Sequence, residues 1–123
     1  MPIIISWITP KHIIRLTFTG NVTFDDLAKS RSDLATALKE IRTRLDYVLD
    51  LRELEQVTEK VLQFILSKDG SLRSIKTGCL AVVGGTEQQR LIVGSAALAL
   101  HINIGYFDDE HEALEFIAES TAD

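Results

Sequence analysis

The chain has 123 residues, 46% of them hydrophobic and 25% charged, with a formal net charge of −5. That is the length of one ordinary domain, enough to bury roughly two-thirds of the unfolded surface, so a core needs no metal or disulfide. Cys79 is the single cysteine, which excludes an internal disulfide and suits a reducing cytoplasm, while the acidic balance argues against nucleic acid, whose phosphates call for surplus Lys and Arg.

The opening MPIIISWITPKH has no basic region before its apolar run and no small-residue cleavage site, so it does not read as a secretory signal. IIISWI, over 3–8, is β-branched and aromatic, as strands tend to be. After a TPKH turn, IIRLTFTG (13–20) places Ile14, Leu16 and Phe18 on one face. Two runs this close predict an antiparallel hairpin, with the Lys11-His12 tip and Arg15 on its solvated side. Beyond Gly20 the period changes. Leu27, Leu34, Leu38, Ile41 and Leu45 recur at helical spacing, with Lys29, Asp33, Lys39 and Glu40 opposite. Thr23 is placed to cap that helix, with Asp26 in its first turn.

DYVLDL (46–51) reads as a short buried strand, and Thr58 to about Lys68 as a helix stopped near Gly70. GCLAVVGG (78–85) is too apolar to face water and should be a central strand. Thr86 to His101 is the next helix, NIGYF (103–107) the last strand, and DDEHEALEFIAE the closing helix, with Asp109 and Glu112 spaced as in a capping box. The expectation is one domain over 1–119 with a frayed tail over 120–123. The order β-β-α-β-α-β-α-β-α implies an α/β fold with a mostly parallel central sheet, an antiparallel N-terminal edge hairpin, and helices packed on it. The longest apolar stretch, LIVGSAALAL (91–100), is too short to span a bilayer, which argues against an integral membrane protein.

Chemistry-bearing patterns are sparse. His12, His101 and His111 stand far apart without a second ligand at metal spacing, so no metal is expected. G-x-S-x-G is missing, and Cys79 in mid-strand reads as a buried, inert thiol. Gly84-Gly85-Thr86 ends a strand and opens a helix, which aims free amides above the strand end. Without a full G-x-G-x-x-G or a P-loop lysine, a structural turn capped by Thr86 is favoured there over an anion site. The acids of DDEHEALEF suit a helix start. The helix over 91–102 carries Gly94, Ser95, Ala96, Ala97 and Ala99, and its consecutive Leu91, Ile92 and Val93 spread apolar surface around more than one face. It is either plain core, or a surface for a second copy or an apolar ligand.

The strand order, the VLDL strand followed by a helix, and VGG closing the next strand resemble the STAS domain, the fold of bacterial anti-sigma factor antagonists such as SpoIIAA. GNVTFDDL and YFDDEHEALEFI are similar to small SpoIIAA-like bacterial proteins, which are also grouped with CRAL-TRIO lipid-binding domains. The resemblance covers nearly the whole chain. In the antagonists a phosphorylatable serine opens the second helix; laid from Asp50, its place falls on Glu59, or on Lys60 with a one-residue slip, and no serine is present. Thr58 is a hydroxyl nearby, read as an N-cap. The resemblance therefore implies a cytoplasmic, noncatalytic interaction domain without a cofactor. It would bind a protein partner or itself through Arg52, Glu53, Glu55, Thr58, Glu59 and Lys60. The alternative it implies is an apolar small-molecule carrier, for which Gly84, Gly85, Thr86, Phe64, Gly94 and Ala97 are the candidate residues. An enzyme reading would need Asp50 in a cleft with a raised pKa.

Overall fold

The computed structural model describes residues 3–37, 39, 44–56, 77–99 and 102–121. Strands β1 (Ile3–Thr9), β2 (Ile13–Asn21), β3 (Leu45–Gln56), β4 (Thr77–Val83) and β5 (Asn103–Phe107) form one sheet in that spatial order. Only β1 runs against its neighbour; β2 to β5 are parallel. Helices α1 (Phe24–Ala37), α2 (Glu87–Ala99) and α3 (Glu110–Thr121) pack on the sheet. The expected α/β architecture with its antiparallel edge hairpin is therefore present. The helix expected over 58–68 lies outside the described residues, and with it Thr58, Glu59, Lys60 and Phe64. None of the helices among the described residues is long and apolar enough to cross a membrane.

Local sequence explains the element ends. Lys11 turns the hairpin tip at φ 66°, and the His12 amide donates to the Thr9 carbonyl at 3.0 Å. Thr23 and Asp26 cap α1 reciprocally: the Asp26 amide donates to Thr23 Oγ1 at 3.2 Å and the Thr23 amide to Asp26 Oδ2 at 3.0 Å. Thr86 and Gln89 do the same for α2, at 3.1 and 2.9 Å. Asp109 caps α3, accepting the Glu112 amide at 2.8 Å.

The start of β3, the end of α3 and, as described below, the end of β3 differ from the sequence expectation. Leu45 does not extend the first helix; α1 ends at Ala37, and Leu45 opens β3 fully buried. Leu45, Tyr47, Leu49 and Leu51 alternate into one core, and a strand paired on both sides satisfies backbone and side chains together, which overrides the helical spacing of lone leucines. The closing helix runs through Thr121, where fraying was expected from residue 120; Ser120 Oγ donates back to the Phe116 carbonyl at 3.0 Å.

The sheet separates two cores. On one face Ile14, Leu16, Phe18, Tyr47, Leu49, Leu80 and Val82 meet Leu34 of α1 and Val93 and Ala97 of α2. On the other, Val48, Cys79, Ala81 and Val83 meet Ala113 and Ile117 of α3. Each fully buried Val, Leu, Ile or Phe side chain contributes about 1.5–3 kcal/mol relative to exposure. Tyr47 is the exception within its core: its hydroxyl is buried with no hydrogen-bond partner among the described residues. Burial pushes that phenol well above its ordinary range.

Candidate functional site

Function in open α/β sheets collects at the carboxyl ends of parallel strands, and the charged sequence after VLDL stands there. It is not a loop. β3 continues through it to Gln56, pairing with β2 as Thr19 opposite Glu53, Gly20 opposite Leu54 and Asn21 opposite Gln56. Its pairing with β4 ends earlier, at Asp50 opposite Val83. The strand therefore outruns β4, and among the described residues its last part has no strand on that side. The buried positions step from Leu51 to Leu54, three residues instead of two, across a register shift in the ladder. That irregularity leaves Arg52, Glu53 and Glu55 all exposed.

Asp50 organises this end. Its Oδ1 accepts the Arg52 amide at 3.1 Å and Arg52 Nε at 3.0 Å, and its Oδ2 accepts Arg52 Nη2 at 2.8 Å. The guanidinium, chiefly through these hydrogen bonds, holds the Asp50 carboxyl below its ordinary range and outweighs the opposing effect of burial. A carboxylate so held stays ionised and is poorly suited to carry a proton. Gly84 makes the arrangement possible. It sits at φ 73°, and a Cβ there would lie 2.6 Å from Arg52 Cγ and 3.0 Å from Arg52 Cα. Arg15, expected on the solvated side of the hairpin, is half-buried. It donates to Glu110 Oε1 at 2.5 Å and to Ser6 Oγ at 3.3 Å, tying β2 and β1 to the start of α3.

Two of the three amides in the Gly84-Gly85-Thr86 turn are engaged. The Gly84 amide donates to the Phe107 carbonyl at 2.9 Å and the Thr86 amide to Gln89 Oε1. Arg90 donates to the carbonyls of Gly84 and Phe107, at 2.8 and 3.0 Å, and so closes the ends of β4 and β5. Gly85, at φ 86°, faces Leu51 and Gln89. Gly94 lies under Tyr106, whose hydroxyl would be 2.1 Å from a Cβ there and donates to the Arg90 carbonyl at 3.1 Å. Ala97 is fully buried in the core. The described members of the apolar-ligand set are thus spread over a capped turn, an edge contact and the core.

At the opposite, amino end of the parallel strands the structure assembles a cluster that the sequence reading did not select. Asp46 is 4% exposed. Its Oδ1 accepts the Cys79 amide at 2.8 Å and Arg44 Nε at 3.1 Å, and Arg44 Nη2 lies 3.1 Å from Cys79 Sγ. Gly78 leaves the space: a Cβ there would fall 1.8 Å from Arg44 Nε. The available signal was an acid inside an otherwise apolar strand.

No protein-family model and no curated protein matches the chain. Among solved structures it is similar to an uncharacterized protein of the DUF3478 family with a SpoIIAA-like fold, from Shewanella loihica PV-4. The TM-score is 0.67 at 20% identity, over 93% of this chain and 90% of that one. The chain has a SpoIIAA-like fold, and at that identity the likeness speaks for the fold alone.

Proposed function

We propose that the chain is a noncatalytic, cytoplasmic interaction domain that binds a protein partner through the carboxyl end of β3. The observation that carries this reading is the strand extension itself. It presents Arg52, Glu53 and Glu55 to solvent beside an edge that β4 leaves unpaired, the setting in which an added strand or a charged face docks. Asp50 supports the noncatalytic part, because both of its oxygens are committed to Arg52. A second copy is one candidate partner, at the far edge of the sheet. Leu91 and Leu98, seven residues apart on α2, are 69% and 77% exposed. At 100° per residue they lie just beyond Gly94, which faces Tyr106 of edge strand β5.

The test is the double variant Glu53→Lys/Glu55→Lys, compared with the unchanged protein against a partner recovered by affinity capture and then purified. Calorimetric titration should show binding weakened roughly tenfold or more, with an unchanged circular dichroism spectrum. Equal affinity would move the partner surface away from β3. Sedimentation velocity on the same samples decides whether the partner is a second copy.

A further inference from the structure

The cluster at the amino ends of the strands opens into a groove of about 670 Å³ on the α3 side of the sheet. Its apolar walls are Ile8 and Ile13 from the hairpin and Leu114 and Ile117 from α3, and its polar lining is Thr9, His12, Arg44 and Asp46. The size falls within the roughly 300–1,000 Å³ typical of small-molecule sites. The groove exists because α3 packs chiefly over β3, β4 and β5, leaving the tip of the hairpin on that face without a helix above it among the described residues.

The polar end is built but incomplete. Asp46 has a side chain 6% exposed, yet only Oδ1 takes part in hydrogen bonds; Oδ2 has no partner among the described residues. Among the described residues the Tyr47 hydroxyl is the one side-chain polar atom buried without a partner, so Oδ2 keeps contact with solvent, where a ligand's donor can reach it. Arg44 likewise commits Nε and Nη2, to Asp46 and to the Cys79 sulfur, and leaves Nη1 without a partner among the described residues. One acceptor and one donor therefore remain available on two residues that line the groove. Their formal charges already neutralise each other across 3.1 Å. An anionic head would meet the Asp46 carboxylate, and a cationic head the Arg44 guanidinium. A hydroxyl suits both, donating to Asp46 Oδ2 while accepting from Arg44.

We propose that this groove binds an amphipathic alcohol, an apolar body carrying one uncharged hydroxyl that pairs with Asp46 and Arg44. This site lies at the opposite end of the strands from the partner surface and stands or falls without it.

Three probes with one tail and different heads test it: n-decanol, decanoate and decylammonium, each titrated against the full chain by amide NMR. The alcohol should bind best and shift Ile13, Leu114 and Ile117. Asp46→Asn should weaken n-decanol roughly tenfold, the worth of a hydrogen bond to a charged group. Because that change also touches the Cys79 amide bond, a second variant, Ala118→Trp, fills the groove from the exposed side of α3 and should abolish binding in a folded protein. Tighter binding of either charged probe, n-decanol binding that survives Ala118→Trp, or no binding of any probe overturns the proposal.

Discussion

Gly84→Ala is the substitution that bears hardest on the site, and Gly20→Ala is its control. Both glycines have left-handed backbone, at φ 73° and 62°. An alanine in that region costs roughly 1–2 kcal/mol through its Cβ alone. At Gly20 a Cβ would meet nothing within 4 Å, so backbone strain is the whole effect. At Gly84 it would press on Arg52 at 2.6 Å for Cγ, 3.0 Å for Cα and 3.1 Å for the amide nitrogen. The last two are backbone atoms of a strand locked to β2, so the clash cannot be relieved by rotating a side chain. Overpacking of that kind adds about 1–3 kcal/mol. The totals are about 1 kcal/mol for Gly20→Ala and about 3 kcal/mol for Gly84→Ala. With an unfolding entropy near 2.1 cal/mol/K per residue over 123 residues, each kcal/mol lowers Tm by about 4 °C, giving drops of about 4 °C and about 12 °C. Differential scanning calorimetry and urea titration measure both. Equal losses at the two positions would refute the reasoning, because they would show that Arg52 does not lie against Gly84.

Two further substitutions probe buried polar groups. Asp50→Asn should cost about 1 kcal/mol at neutral pH, a charged hydrogen-bonded pair discounted because Arg52 is 47% exposed. The folded Asp50 carboxyl titrates below its ordinary value of 3.8, so its contribution is complete above that value and is lost as pH falls through the lower folded one. The stability gap between the two proteins, read by urea titration, should therefore close in acid; a constant gap would count against the pair. Tyr47→Phe removes a hydroxyl that is buried without a partner among the described residues, and should stabilise by about 1 kcal/mol. The unchanged protein should also lose stability above pH 10.0, the phenol's ordinary value, where unfolded tyrosine ionises and the folded group stays protonated. The variant should lack that component, and a destabilised variant would reveal a hydrogen bond to the phenol.

Most of the fold was legible because most of it is written in short-range patterns. The alternation of Ile14, Leu16 and Phe18, the apolar run around Cys79, and the caps at Thr23, Thr86 and Asp109 each specify an element locally. What misled was the stretch from Leu45 to Gln56. Leucines at helical intervals suggested a helix up to Leu45, and charges suggested that the strand stopped at Leu51. Both boundaries are decided by pairing with strands distant in sequence, as in Ile13 opposite Asp46 and Asn21 opposite Gln56. Neither pairing leaves a local trace. Arg15 was misplaced for the same reason: its partner, Glu110, is 95 residues away.

The candidate sites show what alternation alone could have supplied. In β3 and the residue before it, Arg44, Asp46, Val48, Asp50 and Arg52 stand two apart and share the face toward α3. The strand thus carries an Arg–Asp pair at its amino end and an Asp–Arg pair at its carboxyl end, each closed by a guanidinium two residues away. The two ends differ in how completely they close. Arg52 reaches both oxygens of Asp50 because Gly84 lets it lie flat across the strand end. Arg44 is drawn past Asp46 to the Cys79 sulfur, over the space left by Gly78, and engages Oδ1 alone. The same sequence pattern therefore produces a sealed charged rim at one end, suited to a partner's surface. At the other it leaves an open hydrogen-bonding pair at the end of an apolar groove, suited to a small molecule. Which end seals is decided by two glycines, Gly78 on the neighbouring strand and Gly84 just past its end.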